Sequence, residues 1–252
     1  MSGLGGYLWL EIRRTLRNRQ FIIFTLGFPI GFYLLFTMLY GGQNLGSGAG
    51  ALSFNAFYMV SMAAYGALGA TMNSNGTRIA SERAAGWSKQ LRATPLPPLA
   101  YVLGKVGMAI CVTVPAVVLV LLAGVLVHHV RLAGLEWVQL LLGLWLGAIP
   151  FATLGVLLGY LLDSESAQSG VMIAYFALSI LGGLWFPYQV MPKAMQLIAR
   201  LLPSYHYAAI GWNAVTGQPV GWTHVWVLLL YTVIFSFLAM RRYQRDEARE
   251  YA

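Results

Sequence analysis

The residues able to do chemistry are few and can be taken in turn. The lysines are Lys89, Lys105 and Lys193. A phosphate-cradling loop needs Gly, four residues, then Gly-Lys and a hydroxyl residue, so that backbone N–H groups and the ammonium meet the phosphates. Only Lys105 follows a glycine, Gly104; Leu99 stands where the first glycine belongs and Val106 where the hydroxyl belongs. The chain has no such loop with which to hydrolyse ATP. The histidines are His128, His129, His206 and His224, and there is no His-Glu-x-x-His. The pair His128-His129 has no acids beside it and reads as loop rather than a metal site. A single cysteine, Cys111, excludes an intrachain disulfide and a cysteine-based metal cluster, and its apolar surroundings read as inert packing. Asp163 and Glu165 either pair with a basic partner surface or end helices. Asn75-Gly76-Thr77 matches a glycosylation sequon, but on the face expected to be inner.

Two stretches hold more. Residues 78–98 run from Arg78 through Glu82, Arg83, Gly86, Trp87, Lys89, Leu91, Arg92 and Thr94 to Pro95, Pro97 and Pro98. The charges predict a helix through about Leu91, and the prolines stop it, because proline lacks a donor and restricts its predecessor. A solvated loop has no need of Trp87 and Leu91 beside the charges, which favours a docking element. Residues 182–213 are apolar but broken by Pro187, Pro192 and Pro203, with a short amphipathic helix over Met195–Leu202. Broken backbone at membrane depth is tolerated only where protein covers it or it lines a cavity, which points to an outer gate or cap over a pathway.

The elements that position these stretches follow from composition. Of 252 residues, 58% are hydrophobic and 10% charged, against about 25% charged in a soluble domain. Mean hydropathy is +0.66. That excludes an ordinary cytosolic enzyme, a disordered chain and a disulfide scaffold. A helix needs about 20 apolar residues to cross the hydrocarbon. Six stretches qualify: 21–40, 54–77, 102–127, 137–162, 166–186 and 222–240. The first starts after Arg13, Arg14, Arg17 and Arg19 and is too long for a signal-peptide core. In lipid every backbone group must pair internally, so these are helices, and the fold class is an all-α polytopic membrane protein. No charged residue lies deep in a span, against the habit of proton-driven carriers.

The net charge of +8 reads as topology rather than nucleic-acid binding. The segments 1–20, 78–105, 163–165 and 241–252 hold 13 of the 16 Lys and Arg residues. Only Arg131, Lys193 and Arg200 fall on the other side, so both termini face the cytoplasm. Leu4, Leu8, Ile12 and Leu16 repeat every four residues, so 4–19 reads as an amphipathic helix lying on the inner interface, or else packed on another protein. Gly27/Gly31, Gly143/Gly147 and Gly155/Gly159 are spaced for close helix approach. The chain is one domain over 1–252, with the 78–97 hairpin inside the cell and the 187–221 gate segment outside.

The pattern resembles the type-2 ABC exporter permeases, over essentially the whole chain. Two places carry the resemblance. Glu82, Gly86, Leu91, Arg92, Thr94, Pro95 and Gly104-Lys105 are similar to the family's inner stretch; Trp87 and Lys89 depart from its usual Thr and acid. Phe186-Pro187, Met191-Pro192, Ile198, Pro203 and Tyr205 are similar to its outer spacing. The resemblance implies a homodimeric permease bound to two copies of a separate P-loop ATPase, which holds the Mg-ATP; this chain binds no cofactor of its own. It implies that Glu82, Arg83, Gly86, Trp87, Leu91, Arg92, Thr94 and Pro95 couple to that ATPase. It implies that Phe186, Pro187, Met191, Pro192, Pro203 and Tyr205 form the outer gate. The antibiotic and multidrug subgroup is the nearest in form, which makes the cargo a hydrophobic or amphipathic drug, antibiotic or lipid-like molecule leaving through a bacterial inner membrane. Tyr58, Met59, Met62 and Tyr65 are candidates for the substrate path, with ordinary packing as the competing reading. A standalone channel, carrier or assembly factor, or an intramembrane lipid-modifying enzyme, are the alternatives.

Overall fold

The computed structural model describes residues 23–45, 52–86 and 98–249. The 4–19 helix and the hairpin residues Trp87, Lys89, Leu91, Arg92, Thr94 and Pro95 lie outside the described residues. A π-helical turn, Ile23–Gly27, enters α1, Phe28–Tyr40. A short antiparallel ribbon follows, β1 Asn44–Leu45 with β2 Leu52–Ser53, in which Asn44 faces Ser53. Then come α2 (Phe54–Ala84), α3 (Pro98–His128), α4 (Gly134–Leu146), α5 (Ile149–Leu161) and α6 (Ser164–Leu181). A 3₁₀ turn, Tyr188–Val190, precedes α7 (Lys193–Leu201), α8 (Pro203–Val215) and α9 (Trp222–Arg249).

The protein is all-α, and among the described residues three stretches are long and apolar enough to cross a membrane: Leu103–His128, Gly134–Leu161 and Trp222–Arg245. Thr25–Tyr40 is a shorter apolar helix. Their outer faces carry Leu122 and Leu126 on α3 and Trp226, Leu230, Val233 and Phe237 on α9, all exposed. So much contiguous apolar surface suits lipid rather than water.

The bundle is organised around α2. Every residue from Ala56 to Met72 is buried, and α1, α3, α5, α6 and α8 all pack against it. Its upper half is built of alanine, glycine, methionine and tyrosine where α3 and α9 carry leucine and valine. A helix that is apolar all round belongs in an interior. Ser53 starts it, its hydroxyl accepting from the Ala56 N–H. Gly86 ends it at φ +71°, a conformation open to glycine at little cost. α2 thus carries the first charges of the hairpin as its own last turns, and the rest of the helix expected through Leu91 lies outside the described residues.

The expected span 137–162 is two helices that meet at Gly147–Ala148. Pro150 has no N–H to give Leu146, so the first helix cannot run on. Tyr207 fills the corner, and a Cβ on Gly147 would lie 2.7 Å from its ring. α8 runs antiparallel to α4: Tyr207 meets Gly147, Ile210 meets Gly143, and Gly217 meets Glu136. The chain thus dips into the bundle after α6 and climbs back along α4. Cys111 sits on an exposed face of α3 instead of in packing. Asp163 occupies the position before α6, with Glu165 in its first turn, in keeping with their helix-ending reading.

Glycine spacing separates contacts from open faces. A Cβ at Gly159 would lie 2.7 Å from Ile79 Cβ and 3.0 Å from the Gly76 carbonyl oxygen, and one at Gly155 3.0 Å from the Thr71 oxygen. Gly27 and Gly31 would meet nothing within 4 Å. Gly159→Val is expected to push α5 off α2 and cost about 2 kcal/mol, read as a lowered thermal midpoint in detergent. Gly27→Ala should leave that midpoint within measurement error.

Candidate functional site

The charged end of the bundle is built where α2, α3 and α5 meet. Glu82 lies one turn beyond Arg78 on α2, and the Arg78 Nε donates to Glu82 Oε1 at 2.9 Å. From α3 the Lys105 ammonium donates to both carboxylate oxygens, at 2.7 and 2.6 Å. Lys105 is 8% exposed. Burial alone would raise the Glu82 carboxyl, but the charge and hydrogen bonds of Lys105 and then Arg78 outweigh it and hold the group below its ordinary range. Arg83 points the other way. Its Nη1 donates to the Gly159 oxygen at 3.0 Å and the Leu162 oxygen at 3.4 Å, and its guanidinium stands over the Tyr160 ring. Those carbonyls close α5, where a cation also meets the negative end of the helix dipole. One turn and more above, Asn75 Nδ2 donates to the Ala152 oxygen at 3.0 Å. Asn75 is buried, which closes the sequon to glycosylation. Tyr160 meets Tyr243 edge-on at 5.6 Å, bringing α9 to the same junction.

Of the residues expected to couple to a partner, Glu82 and Arg83 thus bind the chain's own α3 and α5. Gly86 is the turn that hands the chain to the hairpin.

The opposite end is aromatic. Phe186 is half-exposed, Pro187 opens the 3₁₀ turn, Met191 is buried and Pro192 precedes α7. Pro203 starts α8 and is buried. Tyr205 packs on Tyr188 at 5.1 Å and Trp212 at 6.0 Å. Side-chain donors clip the segment to its neighbours. Ser204 Oγ donates to the Leu178 oxygen and Tyr207 OH to the Leu144 oxygen, both at 2.6 Å. Tyr231 OH donates to the Leu201 oxygen at 2.6 Å, and Trp212 Nε1 to Ser61 Oγ at 3.1 Å. On α7, Leu197, Ile198 and Leu201 face outward.

Tyr58, Met59, Met62 and Tyr65 all lie in the core of the protomer, none more than 2% exposed. Tyr58 stacks between Phe36 and Phe54, and Tyr65 stacks on Tyr175 at 4.6 Å and meets Trp185 edge-on at 5.4 Å. Phe28, Phe32 and Trp185 complete this column. Sequence reasoning missed α1's part in it, although Phe28, Phe32, Phe36 and Tyr40 recur every four residues. Among the described residues no group of three or more His, Cys, Asp or Glu side chains could hold a metal ion.

Residues 42–241 match the family described as ABC-2 family transporter protein. The chain belongs to the ABC-2 family. It is also 32% identical over 240 residues to the Bacillus subtilis (strain 168) chain that carries the name transport permease YvfS, covering 94% of this chain and 96% of that one. The protein is therefore a membrane-embedded, multi-pass permease of an ABC transporter, a transport subunit rather than an enzyme, and its family implies an ATPase partner.

The permease's charged junction makes a direct prediction. Glu82→Gln takes from the buried Lys105 ammonium the carboxylate that accepts from it twice, and should cost about 3 kcal/mol. Adding Lys105→Met to that variant should restore at least half, read from thermal midpoints of the single and double variants. Because the Glu82 carboxyl is held below its ordinary value, the pair's contribution is whole above that value. It is lost as pH falls through the lowered one, so the gap in midpoint between the wild type and the double variant should be constant from neutrality to mild acid and narrow only beyond.

Proposed function

We propose that this permease is the membrane half of an ATP-driven exporter in a bacterial inner membrane, carrying a hydrophobic or amphipathic drug, antibiotic or lipid-like molecule outward. Six spans cross the bilayer: α1, α2, α3, α4 with α5, α6 and α9, with both termini inside. Two copies form the pathway, and two copies of a separate P-loop ATPase hold the Mg-ATP. The basic character of the Glu82–Lys105 end and the aromatic character of the other support that orientation. The name of the Bacillus relative supports transport, and the antibiotic and multidrug cargo rests on the family resemblance alone.

The observation that carries the mechanism is the pair of opposed attachments at neighbouring residues: Glu82 to α3 through Lys105, and Arg83 to the end of α5. The hairpin 78–97, with Trp87, Leu91, Arg92, Thr94 and Pro95 beyond Gly86, docks on the ATPase. When ATP closes the ATPase pair, the hairpin is displaced, and these attachments carry α2, α3 and α5 with it as one unit. At the far end Phe186, Pro187, Met191, Pro192, Pro203 and Tyr205 form the gate. A route past Tyr58, Met59, Met62 and Tyr65 opens when α2 parts from α1 and α6, which exposes the aromatic column to cargo. Apolar and aromatic walls suit an apolar passenger.

Two measurements test this reading. In proteoliposomes holding the permease and its co-purifying ATPase, Arg83→Met should keep the complex yet cut ATP-driven transport about tenfold. Undiminished transport would remove Arg83 from the coupling route. In a Cys111→Ser background, a membrane-impermeant maleimide should label Gln218→Cys in intact cells but Gln244→Cys only after permeabilisation. The reverse pattern would invert the topology.

A further inference from the structure

His206 and His224 lie 18 residues apart in sequence and meet across α8 and α9, their Nδ1 atoms 2.8 Å apart. The other nitrogen of His206, Nε2, lies 2.8 Å from the Arg200 carbonyl oxygen at the end of α7. A carbonyl only accepts, so His206 Nε2 carries a proton, and neutral His206 presents a bare Nδ1. His224 must then donate from its own Nδ1, so the proton inventory of the pair is dictated by one backbone carbonyl. His206 is 8% exposed and His224 lies partly open at the start of α9. Through this pair α8 is fastened to α7 on one side and α9 on the other, at the base of the gate segment.

We propose that His206 and His224 form a proton-operated latch on the gate segment, held while the rings share one proton between their Nδ1 atoms and released when acid on the outer side protonates both rings. The outer placement rests on the topology proposed above; the latch itself does not. A first added proton enters at His224 Nε2 and leaves the Nδ1–H bond in place. A second must enter at His206 Nδ1, where it faces the His224 N–H at 2.8 Å and the bond cannot survive. Among the described residues no carboxylate faces the pair to offset the second charge. From α7 comes Arg200, with its guanidinium over the Tyr188 ring, and Lys193 at that helix's start. From α8 comes Tyr205, in ring contact with both histidines; from α9, Tyr231, engaged with the Leu201 oxygen. Glu136, the carboxylate of α4, sits beside Gly217 at the far end of α8 and accepts from the Ala133 N–H. α2 and α6 present no charged group at this end: Glu82 and Glu165 lie at the charged one. The latch is thus closed at neutral pH and opens only in acid.

Hydrogen–deuterium exchange tests it on the full-length permease, with rates corrected for intrinsic pH dependence. Between about pH 7.5 and pH 5, amides in 203–210 and 223–228 should lose about tenfold protection, the worth of one lost hydrogen bond near its upper range. His224→Asn places an amide where Nδ1 stood; it can donate to neutral His206 or turn to accept from the charged ring, and its protection should stay high at both pH values. His224→Phe fills the ring's space without a bond and should be low at both. A wild-type protein with unchanged protection, or a His224→Phe variant with the same acid response, would overturn the latch. In proteoliposomes of known orientation, a response to acid only on the side of the N terminus would leave the latch standing and overturn the outer placement.

Discussion

The last carbonyls of a helix have no donor within the helix, and inside a bilayer no water comes to replace it. Most features of this bundle trace to that shortage. α4 ends at Leu146, and the Leu144 oxygen takes its bond from Tyr207 on α8. α5 ends at Leu161, and Arg83 of α2 supplies the Gly159 and Leu162 oxygens. α6 ends at Leu181, where Ser204 shares the Leu178 oxygen with the Gly182 N–H. α7 ends at Leu201, and His206 and Tyr231 supply the Arg200 and Leu201 oxygens. Each break in a helix therefore calls in a donor from another helix. The broken helices, which on their own would be the weak points, become the places where the bundle is tied together.

The same ties explain how a structure this apolar can still move as units. Dispersion and small-residue contact hold α2 against α5 along Gly155 and Gly159. They give close packing but no direction. The polar ties at the ends are few and directional, and each joins a named pair of elements. At the charged end they bind α2 to α3 and α5. At the aromatic end they bind α8 to α4, α6, α7 and α9, and through Trp212 to Ser61 of α2. Between the two ends lies the aromatic column of α1, α2 and α6, where the polar ties among the described residues are sparse: the Tyr175 hydroxyl to the Tyr65 oxygen and the Tyr58 hydroxyl to the Trp185 oxygen. Were a displacement to enter at Gly86, as the proposed coupling requires, it would meet a tied base, a middle with fewer ties, and a tied cap.

Much of this was legible without coordinates. The shortage of charge implied a membrane, the gathering of arginines implied a charged end, and Pro187, Pro192 and Pro203 implied a broken segment. Pro150 was an equally plain signal for the break in 137–162, but a continuous apolar run hid it. Other features had no local signal. The contacts that Glu82 and Arg83 make with α3 and α5 could not be read from their types, because exposed charge and inward-turned charge are spelled alike. Lys105 lies 23 residues from Glu82, and His224 18 from His206; spacing of that kind has no period to read. α2 hides for the opposite reason: its alanines, glycines and tyrosines look less apolar than the lipid-facing leucines of α3, although it is the more deeply buried helix.

The sequence by itself determined the material: an all-α chain of apolar helices, charged at one end and aromatic at the other, belonging to the ABC-2 family. Tertiary structure alone decided which helix stands at the centre, which glycines touch, and which partner each buried polar group takes. The reason is that a lipid tail and a leucine side chain are equally apolar. Hydropathy states that a helix leaves water, and only packing states what it meets instead.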